Sequence, residues 1–187
     1  MMYANIKHDI IQCNKCPLHK ELTYGCYPQW GTGSSLAKLL VINLKSYPDS
    51  HLIEKPLDTK SSIYFKKLLE MVDVKNSEVF VTNLVKCTSP MVPKKRFRTN
   101  AETCKSWIDI ELRSLTKICA ILCLGEQTLN ILLNEKKLTK ETTGLTYNNI
   151  PLFCADQLDY LIIRGKEKSE DILDKLQKCK VIMDAKV

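Results

Sequence analysis

Four cysteines carry the sharpest chemical signal in this chain. Cys13-Asn-Lys-Cys16 is a CxxC pair, a spacing that lets two thiolates reach one metal from a single turn. Cys87 and Cys104 stand 17 positions apart, the first closing an apolar run and the second in the opening turns of an expected helix. The stretch between them can fold back and bring both sulfurs together. A zinc ribbon built on two CxxC pairs needs a second close pair, and that pair is missing. Spacing alone does not separate iron from zinc. Nine cysteines are an odd number, so complete disulfide pairing within one molecule is impossible. In a reducing compartment, clustered cysteines serve more often as metal ligands or small core residues. Cys119 and Cys123 sit in the apolar run Ile118–Leu124 and read as strand core, and the isolated Cys26, Cys154 and Cys179 read as packing residues.

A second signal is Pro93-Lys-Lys-Arg-Phe-Arg98, four cations around one aromatic. Read as a loop, it offers Lys94, Lys95, Arg96 and Arg98 to a phosphate backbone and Phe97 to stack on a base. A solvated charged loop is the plainer alternative. His8, His19 and His51 all lie toward the N-terminus and read as surface residues.

The elements that must position these residues alternate in type. Leu36–Leu44, Val79–Val85, Ile118–Leu124 and Ile150–Cys154 read as buried strands. Between them, Ile63, Leu68, Leu69 and Val72 recur at helical spacing from Ser61 onward. Thr99 and Asn100 offer N-caps for a helix with Trp107, Ile108, Leu112 and Leu115 on its apolar stripe. Gln127–Leu133 and Glu170–Cys179 supply two more helices. Strands alternating with helices predict a parallel sheet covered on both faces.

The 187 residues fit one domain spanning the whole chain, with 44% hydrophobic and 26% charged residues, which excludes whole-chain disorder. A net charge of +7 favours an acidic partner such as nucleic acid. No run approaches the ~18 apolar residues of a membrane span. Lys7, His8 and Asp9 interrupt any leader-like segment, so the expected setting is cytoplasmic.

Taken together, several stretches resemble the iron–sulfur uracil-DNA glycosylases, family four of that superfamily. Cys13-x-x-Cys16-Pro-Leu18 resembles the family's opening ligand pair, and Ala37-Lys-Leu-Leu-Val41 its first strand. Val79-Phe-Val-Thr-Asn-Leu-Val-Lys-Cys-Thr-Ser-Pro90 resembles the strand that carries its base-reading asparagine and third ligand. Cys104 falls at the fourth ligand and Leu124-Gly125 at the end of the following strand. The resemblance implies a [4Fe–4S] cluster held by Cys13, Cys16, Cys87 and Cys104, with zinc the weaker alternative. It also implies a three-layer α/β/α sandwich around a central four-stranded parallel sheet. The expected partner is single- or double-stranded DNA, with a replication or repair protein as a further candidate, and the expected state is a monomer.

The resemblance also locates departures. Asn83 matches the residue that reads the uracil edge, since its amide offers both a donor and an acceptor. The family's water-activating glutamate falls on Asn43, within Ile42-Asn-Leu-Lys-Ser46, where the family's glycines are absent. An amide orients water but cannot take its proton, although mismatch-specific relatives carry asparagine at this turn. Leu57 replaces a stacking phenylalanine, and Gln157 falls near the histidine that stabilises the leaving base. Lys45 can add a phosphate contact. Two readings follow: a glycosylase with weakened or altered hydrolysis, using Asn43 and Gln157 in catalysis and Asn83 and Leu57 in base binding, or an inactive module holding DNA or a repair partner. An iron–sulfur electron carrier is a weaker third, because nothing in the sequence reads as a redox partner site.

Overall fold

Apolar runs rich in valine, isoleucine and leucine build the sheet, and the amphipathic runs between them build its two covers. The structure, a computed structural model, describes residues 2–21, 28–45, 56–87, 94–164 and 169–186. Its elements in chain order are α1 (Met2–Ile11), β1 (Thr32–Gly33), β2 (Leu39–Lys45), α2 (Thr59–Met71), β3 (Val79–Val85), α3 (Lys94–Cys104), α4 (Ser106–Ser114), β4 (Ala120–Leu124), α5 (Glu126–Leu132), β5 (Thr146–Tyr147), β6 (Ile150–Ala155), α6 (Leu158–Arg164) and α7 (Ser169–Ala185).

The sheet order is β1-β3-β2-β4-β6-β5. The four longer strands pair in parallel, and the two-residue strands β1 and β5 add antiparallel edges. The expected four-stranded sheet is thus corrected to six strands, because pairs this short leave no apolar run to read. Alternation along the strands sends Leu40, Ile42, Phe80, Leu84, Ile121 and Cys123 to one face, where they pack with Phe97, Ile108 and Leu129 of α3, α4 and α5. Leu39, Val41, Val79, Leu122 and Leu124 face the other way, onto Phe65, Leu68, Leu161, Ile172 and Leu176 of α2, α6 and α7. Close approach shapes one edge: a Cβ on Gly33, which sits at φ +141°, would lie 2.4 Å from the Val79 carbonyl oxygen.

Several expectations are corrected. β2 begins at Leu39, and Leu36 is exposed. α2 begins at Thr59, where Asp58 caps it by accepting from the Ser61 N–H at 2.8 Å and from the Ser61 hydroxyl at 2.8 Å. Its buried stripe is Ser61, Phe65, Leu68 and Leu69, and Ile63 points to solvent at 53% exposure. The basic stretch is not a loop: it opens α3, with Thr99 and Asn100 in the helix interior, and Lys105 separates α3 from α4. Lysine and arginine are good helix formers, and Phe97, Ala101 and Cys104 continue one buried stripe through them. The expected stripe Trp107, Ile108, Leu112 and Leu115 is buried, as are Cys119, Cys123, Cys154 and Cys179. Cys26, Ser46 and His51 lie outside the described residues. Among the described residues no helix is long and apolar enough to cross a membrane.

The phase of α2 gives a direct test. Phe65→Ala should destabilise the protein by about 3–5 kcal/mol in urea unfolding, whereas Ile63→Ser should change stability by no more than about 0.5 kcal/mol.

Candidate functional site

The chain runs from β2 to β3 on one side and places β4 on the other side of β2, so a crevice opens beyond the carboxyl ends of these strands. A shallow cleft with room for about 10 Å³, roughly one water, lies there. Asn43 and Lys45 reach it from the end of β2, Pro56, Leu57, Asp58 and Ser61 from the start of α2, and Leu158 and Asp159 from the start of α6. Asn43 and Leu57, expected on one pocket, do share this cleft. Burial lowers the Lys45 ammonium from its ordinary range. Gln157 immediately precedes α6 and packs over Gly125, at the end of β4. A Cβ on Gly125, itself at φ +90°, would lie 2.7 Å from Gln157 Cγ.

Asn83 sits behind this cleft rather than on its wall. It is 1% exposed and pairs in register with Asn43 across β3 and β2. The two amides are linked. Asn43 Nδ2 donates to the Lys45 carbonyl at 2.9 Å and to Asn83 Oδ1 at 3.1 Å. Asn83 Nδ2 donates to Gln29 Oε1 at 3.2 Å. Gln29 is buried and reaches Asn83 because residues 28–33 return antiparallel along β3, with Pro28 bridging Cys87. Nothing in its spacing singles Gln29 out; only the return strand brings it to the site.

A buried ion pair braces the same strand end. Lys86 Nζ lies 2.7 Å from Glu111 Oε2, with the side chains 2% and 0% exposed. Lys86 Nζ also donates to Thr82 Oγ1 at 2.6 Å, and Thr82 Oγ1 donates to Glu111 Oε2 at 2.7 Å. The second Glu111 oxygen accepts from the Gly31 N–H at 2.9 Å. A glutamate at the buried position beside Trp107, Ile108 and Leu112 is the sequence signal for this pair: a charge on an apolar stripe needs a partner.

Two of the candidate ligands are tied to this region, Cys104 through Lys86 and Cys13 through Trp107. The backbone N–H of Lys86 donates to Cys104 Sγ at 3.3 Å, which brings Cys104 next to the residue preceding Cys87. Trp107 Nε1 donates to Cys13 Sγ at 3.3 Å. Burial pushes the Cys104 thiol up to about 11; the Lys86 N–H and ammonium oppose this, and charge on Cys16 and Cys13 adds to it. Cys87 and Cys104 are buried, and Cys13 and Cys16 half-buried. The Cys104 and Cys13 sulfurs accept N–H groups, as metal-bound thiolates also do. Among the described residues no three His, Cys, Asp or Glu side chains are grouped as around one metal ion.

The basic stretch is corrected in part. Phe97 is 8% exposed within the core, so its ring is not offered to a base, and the Lys45 ammonium stands 5.7 Å from its centroid. Arg98 Nε pairs with Glu102 at 2.9 Å, and its guanidinium donates to the Glu135 carbonyl at 2.9 Å. The side chains of Lys94, Lys95 and Arg96 lie outside the described part of the structure.

No family model matches the chain. Among curated proteins it is similar to a type-4 uracil-DNA glycosylase of Archaeoglobus fulgidus, 25% identical over 132 residues. The match covers 70% of this chain and 63% of that protein, so the chain spans less than two-thirds of its relative's length.

Breaking the brace on one side strands a charge in the core. Glu111→Ala should cost about 3–5 kcal/mol in chemical unfolding, whereas the double variant Lys86→Met with Glu111→Leu should recover most of that loss.

Proposed function

We propose that the chain is a uracil-DNA glycosylase-like iron–sulfur protein that binds DNA and takes a flipped uracil, or a related base, at the end of β2 and β3, with altered hydrolysis of the N-glycosidic bond. The observation that carries this reading is the strand β3 with its extension, Val79–Cys87. It sets the Asn83 amide four residues before Cys87 on one strand end, in register with Asn43. The similarity to the type-4 glycosylase supports it.

Cys13, Cys16, Cys87 and Cys104 would hold the [4Fe–4S] cluster, which when bound supplies a cross-link between the N-terminal segment, the end of β3 and α3. The remaining steps belong to the chain's own groups. A base extruded from the stack enters the cleft in front of Asn83, whose amide carries both a donor and an acceptor for the pyrimidine edge but lies buried behind Asn43 and must be uncovered to read it. Leu57 gives apolar contact without a π-face. Asn43 orients water but cannot remove its proton. Two carboxylates line the cleft: Asp58 is committed to the α2 cap, and Asp159 opens α6. Asp159 is accordingly the proposed proton acceptor. Gln157, beside Gly125, donates a neutral hydrogen bond to the departing base, weaker than the charge-assisted bond a histidinium would give. The N-terminal residues of α3, Lys94, Lys95 and Arg96, contact phosphate.

The Asn43 network favours one competing reading. With its amide donating to Lys45 and Asn83, the position has no carboxylate, and the site holds a base without turning it over. Anaerobically purified protein incubated with uracil-containing single- and double-stranded oligonucleotides, then treated with alkali, separates the two. Strand cleavage lost in Asn83→Ala and in Asp159→Asn supports the glycosylase; intact strands with salt-sensitive retention support the binder. About four iron atoms per chain, lost when the four cysteines are changed to serine, are expected under either reading, and iron-free wild-type protein would defeat both. Replacing Lys94, Lys95 and Arg96 together should weaken DNA binding and reduce the slope of log affinity against log salt by about 2–3. An unchanged slope would remove α3 from the DNA surface.

A further inference from the structure

We infer that the edge of the sheet carries a second binding site, for a small carboxylate with an apolar body whose charged end is held by Lys175. This site is separate from the cleft at the strand ends, and it does not depend on the proposed function. A cavity of about 330 Å³ lies between residues 140–146, β6 and α7, against about 10 Å³ in the cleft. Sites for small molecules commonly enclose ~300–1,000 Å³. The cavity exists because the edge strand is short. β5 pairs with β6 only at Ile150 and Pro151, and one further main-chain bond runs from the Leu152 N–H to the Leu145 carbonyl at 2.9 Å. Gly144, next to Leu145, takes φ +71° and has nothing within 4 Å of where a Cβ would stand, so that flank is open.

Two kinds of group line the cavity. Leu145, Pro151, Leu152 and Phe153 give an apolar wall, and Lys140, Lys175 and Lys178 bring ammonium groups to it. Asp156, Asp171 and Asp174 pair with these lysines, but among the described residues no carboxylate is on the lining. The cavity therefore meets the positive side of the cluster. Two of the lysines are satisfied: Lys140 donates to Asp156 at 2.6 Å and Lys178 to Asp174 at 2.7 Å. Lys175 is not. It is 9% exposed, and its nearest carboxylate oxygens stand 3.6 and 3.7 Å away. Among the described residues its ammonium has no acceptor within hydrogen-bond distance. A buried ammonium left so is costly, and native buried polar groups find a partner in protein, water or ligand. The paired lysines and aspartates already balance in charge, so the cluster favours a single negative charge over a dianion. A carboxylate supplies that charge and a short, charge-assisted bond to the ammonium. The apolar wall takes the rest of the molecule.

The test titrates wild-type protein with octanoate, octanamide and octyl phosphate, using calorimetry for affinity and backbone amide NMR shifts for location. Octanoate should bind, move the amide signals of Leu145, Phe153 and Cys154, and bind about tenfold more tightly than uncharged octanamide, the worth of one hydrogen bond to a charged group. Octyl phosphate should bind no more tightly than octanoate. Lys175→Met, which keeps the length and removes the charge, should weaken octanoate about tenfold and leave octanamide unchanged; Lys175→Arg should keep octanoate binding. No binding of octanoate to wild-type protein overturns the inference, as do shifts confined to other residues, octanamide binding as tightly, octyl phosphate binding more tightly, or full octanoate affinity in Lys175→Met. Thermal unfolding checks that each variant is folded. Should Lys175→Met not fold, the wild-type contrasts and Lys175→Arg decide. Retention of uracil-containing oligonucleotides is a separate measurement, so failure here leaves the glycosylase-like reading where it stands.

Discussion

The buried contact between Lys86 and Glu111 is the constraint on which the rest of the site depends. Two opposite charges 2.7 Å apart with almost no exposure attract strongly, but each also gives up its hydration, so the net gain in stability is small. What the pair fixes is position. Glu111 can satisfy its oxygens only if α4, the Thr82 hydroxyl and the Gly31 N–H stand where they do. Lys86 is satisfied only if the end of β3 carries its side chain inward, and that same residue presents its N–H to Cys104 and its carbonyl to Gln29. The main chain of this one residue thus ties Cys104 to the segment carrying Gln29, while its side chain holds the buried charged contact.

The amide chain is the neutral counterpart of that brace. Gln29, Asn83 and Asn43 form consecutive hydrogen bonds that end on a main-chain carbonyl. Because every link is neutral, the chain can be buried without a counter-charge. It cannot take up a proton near neutrality. The polarity of the chain descends from the Lys45 carbonyl, the one member with no alternative role.

Much of this was legible in the sequence, for physical reasons that differ from residue to residue. Val79–Val85 reads as a strand because β-branched residues form an unbroken apolar run, as a parallel strand buried on both faces requires. Cys13, Cys16, Cys87 and Cys104 stand out through residue type and spacing. α3 did not, because its first residues are charged and follow a proline, and loop chemistry is what such a stretch suggests; burial of Phe97 and Ala101 decides for helix. β1 and β5 are two residues each and carry no period. Gln29 acquires meaning only from the antiparallel return of residues 28–33, a tertiary event that no local pattern encodes. Glu111 was readable in principle, as a charge on an apolar stripe.

Within the proposed reading, an amide in place of a carboxylate at position 43 has an electrostatic side as well as a catalytic one. A flipped nucleotide brings its flanking phosphates toward the mouth of the pocket, and a carboxylate there opposes them across a short distance in a medium that screens poorly. Asn43 removes that repulsion while Lys45, two residues on and partly desolvated, keeps a positive charge beside it. The same substitution removes the group best placed to accept a proton. Affinity for the bound nucleotide and the rate of its hydrolysis are therefore moved in opposite directions by one residue. Within the proposed reading, the cleft favours holding a base over releasing it, and any hydrolysis that remains must draw its proton acceptor from the α6 side, where Asp159 lies.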